Sequence, residues 1–292
     1  MFRGAITALV TPFRDGRVDE ARLRALVDQQ VAAGIDGIVP CGTTGESPTL
    51  SHEEHERVIG VVVGQARGRT RILAGTGSNS TEEAIRLTKH AREVGADGAL
   101  LVTPYYNRPT QEGLYQHYRR IAREVKGFPL VVYNIPGRTG VNVLPETMAR
   151  LAEIDNVVGV KEATGNVAQA VETIERCPKD FAVLSGDDVL TLSLLAVGGV
   201  GVISVSSNVV PADVKAMVDA WFAGKPEEAR RWHSKLAPLH QAMFLETNPA
   251  PVKTAMAMLG MIEGEIRLPL CGLSEANTQK LRSALKAYGL PA

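Results

Sequence analysis

Eight short apolar runs of strand type, beginning near Ala5, Gly37, Arg71, Ala99, Pro129, Val157, Phe181 and Gly199, punctuate the chain at a mean spacing of about 28 residues. The stretches between them carry helical periodicity, as in Glu20 to Ala33, Ser51 to Gln65, Thr81 to Val94 and Gln111 to Val125. Each opens on a capping residue or an acidic first turn. Strict alternation of strand and helix at this interval predicts an α/β fold, the (β/α)8 TIM barrel. An open doubly wound sheet is the rival. It usually needs fewer strands, and its glycine-rich turn is incomplete here: Gly75-Thr-Gly77-Ser-Asn-Ser80 lacks the third glycine. That segment reads better as a βα turn in which Ser80 or Thr81 caps the third helix.

Beyond the eighth unit, Lys225 to Leu245, Ala250 to Leu259 and Ser274 to Tyr288 are helical in pattern, set apart by Pro249, Pro251 and Pro269. The expected organisation is a catalytic barrel over residues 1–224 with a C-terminal helical extension, residues 225–292, packed on it. No Gly/Ser linker or charge block separates the two. A chain of 292 residues, 45% hydrophobic, is long enough to bury one large core. Lys plus Arg and Asp plus Glu balance at 32 each, so neither a nucleic-acid face nor a surface drawn to anionic lipid is expected. The partners expected are small molecules. No apolar run is long enough to span a bilayer, and the apolar N-terminal stretch is interrupted by Arg14 and Asp15, so a cytoplasmic protein is expected. Cys41, Cys177 and Cys271 fit no zinc spacing and read as buried or bystander thiols.

In a barrel of this kind chemistry sits where the strands end at their C-terminal side. The residues there are unusual: Cys41-Gly-Thr43-Thr44-Gly-Glu46, Thr103-Pro-Tyr105-Tyr106-Asn107, Tyr133-Asn-Ile-Pro-Gly-Arg138-Thr, Gly159-Val-Lys161-Glu162-Ala-Thr164, Ser185-Gly186-Asp187-Asp188 and Ser204-Val-Ser-Ser-Asn208. Lys161 is the sharpest candidate. Of ten lysines it alone closes a strand, behind Val157-Val-Gly-Val160, which aims its stem into the barrel mouth. A lysine that acts as a nucleophile near neutral pH needs its ammonium destabilised by partial desolvation, at a cost of roughly 4 kcal/mol. An ion pair with Glu162 is the structural alternative, but neighbours on a strand point to opposite faces. Lys253, in the apolar stretch Pro251-Val-Lys-Thr-Ala-Met, is a weaker rival and reads as a snorkelling helix residue.

Imine formation needs proton transfers to and from a carbinolamine oxygen. Tyr133 ends the neighbouring strand, and a relay through Thr43 and a second tyrosine would carry the proton to solvent. Gly42-Thr-Thr-Gly45 places two hydroxyls and several N–H groups on a tight turn that suits a carboxylate. No metal is expected. His52-Glu-Glu-His55 is not the HExxH order and reads as an exposed helical face, and His90, His117, His233 and His240 are scattered.

With Gly-Thr-Thr-Gly-Glu, Tyr-Asn-Ile-Pro-Gly-Arg-Thr and Gly-Val-Lys-Glu-Ala-Thr-Gly-Asn in this order and spacing, and Asn248-Pro near the added helices, the chain resembles the pyruvate-dependent class I aldolase superfamily. Within it the resemblance is to the dihydrodipicolinate synthase family, over essentially the whole chain. The resemblance implies condensation of pyruvate with L-aspartate 4-semialdehyde, without a cofactor, on the diaminopimelate route to lysine. By it Lys161 forms the imine and Tyr133, Thr43 and Tyr106 make the proton relay, with Tyr106 entering from a neighbouring subunit. Thr44 holds the pyruvate carboxylate, Arg138 receives the carboxylate of the semialdehyde, and Gly186 and the backbone of Ile203 line the site. The assembly implied is a homotetramer, a dimer of dimers.

Sugar-acid and sialic-acid lyases share the lysine and tyrosine but not the Gly-Arg-Thr segment, where a fixed bidentate donor suits a small carboxylate. A non-catalytic regulatory relative is a further alternative, against which the intact relay argues. Ser47, His52, His55, Asn79, Glu83 and Tyr105 match positions at which lysine-sensitive members bind L-lysine as an inhibitor. Pro48 alters that pocket by removing a backbone donor.

Overall fold

The strand β7 (Leu130–Asn134) shows how this sequence builds its frame: five consecutive residues, LVVYN, are all buried because parallel strands are covered on both faces. The computed structural model describes residues 2–292. In it β1 (Gly4–Ala8), β4 (Gly37–Val39), β5 (Arg71–Gly75), β6 (Gly98–Val102), β7, β8 (Val157–Glu162), β9 (Ala182–Ser185) and β10 (Gly201–Ser204) pair in parallel into a closed barrel. β10 returns to β1 through Ile203 opposite Ile6, so closure leaves no edge unpaired. The eight runs read from the sequence are the eight barrel strands, each displaced by no more than a residue or two.

Helices connect them as the capping signals require. Ser51 and Glu54 make a reciprocal capping box at the start of α2 (His52–Ala66). Ser80 accepts the Glu83 N–H at the start of α3 (Thr81–Glu93), which accounts for the Gly75 to Ser80 segment as a βα turn. Thr110 does the same for α4 (Gln111–Glu124). No periodic pattern marks the small hairpin of β2 (Phe13–Arg14) with β3 (Arg17–Val18), ahead of α1 (Glu20–Ala32). Nor does any mark the Pro-Gly turn after β7 as a short helical turn, α5 (Pro136–Thr139). The cycle continues through α6 (Pro145–Ala152), α7 (Val167–Arg176), α8 (Thr191–Ala196) and α9 (Pro211–Phe222). The remaining helices are α10 (Pro226–Ala242), α11 (Ala250–Met258) and α12 (Glu275–Tyr288).

Two apolar cores result from the period of two along each strand. Inside the barrel lie Ile6, Val39, Leu73, Leu100, Val131, Leu184 and Ile203. Between strands and helices lie the alternate residues: Ala5, Ile38, Ile72, Ala99, Val132, Val160, Val183 and Val202. The second core runs on into Leu236, Leu239, Val252, Met256, Leu281 and Leu285 of α10, α11 and α12. Parity therefore sends Tyr133 and Lys161 inward and Asn134 and Glu162 outward. Among the described residues, no helix is long and apolar enough to cross a membrane.

Candidate active site

Tyr133 and Lys161 are register partners on β7 and β8, and the Lys161 ammonium lies 4.2 Å from the centroid of the Tyr133 ring. Lys161 is only 5% exposed. Its sequence neighbour Glu162 faces the other way, where its Oε1 accepts the Thr164 N–H at 2.7 Å. Burial raises the Glu162 carboxyl above the ordinary carboxylate range. The amine is thus set against an aromatic face inside the barrel rather than against a carboxylate. Gly186, at the end of β9, makes room for it: a Cβ there would stand 2.7 Å from the Ala163 Cβ and 3.0 Å from the Lys161 Cε. Ile203 belongs to the same inner cluster as Tyr133.

A cavity of about 410 Å³ opens beside Tyr133, and Thr43 and Arg138 line it. The Gly42-Thr-Thr-Gly45 turn is closed by the Gly45 N–H to the Gly42 carbonyl at 3.0 Å and the Glu46 N–H to the Thr43 carbonyl at 3.1 Å. Among the described residues the amides of Thr43 and Thr44 have no acceptor, which leaves two donors free for an anion. The turn does not run directly into α2. A 3₁₀ turn, Ser47–Thr49, intervenes before α2. Thr44 is buried, and its Oγ1 accepts from the Asn248 Nδ2 at 3.0 Å. Arg138, on α5, donates through Nη2 to the Asn248 carbonyl at 3.0 Å, and among the described residues the rest of its guanidinium is free. Tyr106 is not in this group: it is 89% exposed, on a loop where its φ is +71°.

Ser47, His52, His55, Glu83 and Tyr105 line the same cavity. Glu83 carries the charge there. Its carboxyl is held below the usual range by hydrogen bonds from Ser78 and then His52, the latter at 2.7 Å. Asn79 does not line the cavity, and its carbonyl accepts from Asn107. His55 corrects the expectation of an exposed face, because α2 turns it inward between helix and barrel, where burial pushes it down to about 4. His52 is exposed as expected.

Lys253 is also corrected. It does not snorkel: it is fully buried on α11, with its ammonium 2.5 Å from the Glu46 Oε1. The surroundings in sequence carried the signal, since a charged residue within Pro251-Val-Lys-Thr-Ala-Met must find a counter-charge if that face is buried. Asn248 is the other residue whose part the sequence did not reveal. Its contacts with Thr44 and Arg138 span 204 and 110 positions, beyond any local pattern. Among the described residues, no group of three or more His, Cys, Asp or Glu side chains is placed to hold a metal.

Fold and site together define a barrel lyase in which an amine and a phenol meet at the C-terminal mouth, beside a turn with free amides and an arginine. Residues 1–288 match the model of the dihydrodipicolinate synthetase family, and the chain belongs to that family. It is 59% identical, over 99% of its length and 100% of the relative's, to 4-hydroxy-tetrahydrodipicolinate synthase of Geotalea uraniireducens (strain Rf4). With the enzyme of the same name from Nitratidesulfovibrio vulgaris (strain DSM 19637 / Miyazaki F), identity is 60% over 99% of both chains. The crystal structure of dihydrodipicolinate synthase from Aquifex aeolicus superposes with a TM-score of 0.98 at 52% identity, covering 99% of each chain. The enzyme from Cyanidioschyzon merolae with lysine bound gives 0.96 at 44% identity, again over 99% of each.

Proposed function

We infer that this chain condenses pyruvate with L-aspartate 4-semialdehyde to 4-hydroxy-tetrahydrodipicolinate, on the diaminopimelate route to lysine. The observation that carries the reading is the Lys161 amine over the Tyr133 ring at 4.2 Å, on paired strands at the barrel mouth. Lys161 Nζ attacks C2 of pyruvate, and the carbinolamine oxygen leaves as water after taking a proton from the Tyr133 hydroxyl. Loss of a proton from the methyl carbon gives the enamine, whose carbon attacks the aldehyde. The amino group of the semialdehyde then displaces Lys161 at the imine carbon, which closes the ring and frees the lysine. The free amides of Thr43 and Thr44 supply donors for the pyruvate carboxylate, and Arg138 supplies a guanidinium for that of the semialdehyde.

In this reading Tyr106 completes the relay in a neighbouring subunit, within a homotetramer built from dimers. Its 89% exposure is consistent with that, since ring and hydroxyl are accessible to a neighbouring copy. Incubation with pyruvate and borohydride, followed by peptide mass mapping, tests the whole scheme. The expected result is a reduced pyruvate adduct on Lys161, and an unmodified Lys161 overturns it.

A second reading concerns control. Ser47, His52, His55, Glu83 and Tyr105 share one cavity, and Glu83 offers a carboxylate to an ammonium. The lysine-bound relative from Cyanidioschyzon merolae supports L-lysine as the occupant. Titrating activity with L-lysine tests it: inhibition that Glu83→Gln abolishes is expected, and a flat curve in the wild type removes the reading.

A further inference from the structure

Immediately after Thr43 and Thr44 the chain enters a buried cluster that the proposed chemistry does not use. Glu46 has φ of +54°, a left-handed conformation that side chains other than glycine adopt only when their surroundings impose it. Its Oε1 accepts from the Lys253 ammonium at 2.5 Å and its Oε2 from the Arg267 N–H at 3.0 Å. Both side chains of the pair are sealed from solvent, at 0% for Lys253 and 1% for Glu46. The Lys253 ammonium and the Arg267 guanidinium each lie 4.2 Å from the centroid of the Phe13 ring. Arg267 also forks onto Glu54 at 2.6 Å for each oxygen.

Five residues before Lys253, Asn248 donates to the Thr44 hydroxyl and takes the Arg138 bond on its carbonyl. One short segment of the C-terminal extension therefore grips the turn at Thr44 and again at Glu46, and touches Arg138 as well. Stability is a weak reason for such a pair, because desolvating two charges offsets most of their attraction, and well-packed neutral replacements are often no less stable. Geometry is a stronger reason. A carboxylate held by two backbone amides is bound well only if those amides stay within a fraction of an ångström of their places.

We propose that the Glu46–Lys253 ion pair is a positioning device for the reaction, fixing the turn so that the Thr43 and Thr44 amides stay aimed at the pyruvate carboxylate. Neither residue touches the substrate. The proposal rests on the reading of that turn as the carboxylate site, and its test is arranged so that the two can fail separately.

The test uses the double variant Glu46→Gln with Lys253→Met, which removes both charges at nearly constant volume. Thermal unfolding, the KM values for both substrates, kcat, and the pyruvate dependence of borohydride trapping are measured beside the wild type. A positioning role predicts a melting temperature close to that of the wild type and a pyruvate KM raised about tenfold. Half-saturation in the trapping assay rises in parallel, while the semialdehyde KM moves by less than about twofold. A pyruvate KM within about twofold of the wild type overturns the proposal, as does a variant that loses melting temperature alone. If the double variant does not fold, Glu46→Asp, which keeps the charge but shortens its reach to Lys253 and Arg267, is read by the same rise in pyruvate KM. A wild type that resists trapping at Lys161 sinks the Schiff-base reading itself, before any variant is compared.

Discussion

Tyr133 stands opposite Lys161 across the β7–β8 ladder, and the lysine amine rests over the tyrosine ring at 4.2 Å. Strand pairing rather than loop conformation sets the two together, so the geometry is as rigid as the barrel. The two side chains are therefore separable by mutation without disturbing the frame. Lys161→Ala should abolish borohydride trapping and lower kcat/KM by at least about a thousandfold. Tyr133→Phe should keep the adduct but form it more slowly, with kcat reduced roughly a hundredfold or more. Trapping that survives Lys161→Ala would show another amine to be the nucleophile.

Among the described residues Arg138 has one hydrogen-bond partner, the Asn248 carbonyl, and the rest of its guanidinium is free for a ligand. Arg138→Ala should therefore leave pyruvate trapping at Lys161 intact while cutting the specificity constant for the semialdehyde roughly a hundredfold, the worth of one or two charge-assisted bonds. Equal losses for both substrates would remove the assignment.

Gly186 is defined by what a side chain there would meet. A methyl group at this position stands 2.7 Å from Ala163 Cβ and 3.0 Å from Lys161 Cε, so Gly186→Ala must displace one of them. The expected result is a loss of about 1 to 3 kcal/mol in unfolding free energy, with slower imine formation. Denaturant titration and stopped trapping read the two effects independently.

His55 and His117 are both pushed down to about 4 by burial. Each is neutral in the fold at pH 6 but takes up a proton when the chain unfolds, so the unfolded state binds more protons as pH falls. Stability is then fully present above about pH 6.5 and declines toward pH 4, by up to about 1.4 kcal/mol per pH unit for each histidine. Urea titrations at pH 7.5 and pH 5 should show this loss, and His117→Asn should reduce it by about half, leaving the His55 share. A wild type equally stable at both values would mean that the two rings are not neutral in the fold.

Tyr106 projects into solvent from a single copy of the chain. If a partner copy supplies this residue to the site, specific activity should fall on dilution to concentrations at which the copies separate. Tyr106→Phe should lower kcat by about tenfold or more with no change in assembly by sedimentation. Constant specific activity in a preparation shown to be monomeric would exclude a relay residue supplied in trans.

Much of this molecule is legible in its residues alone. Eight apolar runs at a steady interval have few ways to bury themselves, and the closed parallel barrel is the one they take. Lys161 stands out because an amine closing a buried strand needs a reason to be there. Gly75 to Ser80 is readable as a turn because Ser80 caps the helix after it. These are local properties, encoded within one strand or one turn, and the sequence by itself determined them.

Only the tertiary structure decided the rest. Whether Lys253 reached water or met Glu46 depends on a partner 207 positions away, and Thr44's bond to Asn248 on one 204 away. His55 shares a helix with the exposed His52, and the packing of that helix on the barrel sends one inward and the other out. Period and composition report how each segment divides between core and solvent. They do not report which distant segment supplies the other half of a buried contact, because that pairing arises when closure of the barrel brings the two ends of the chain together.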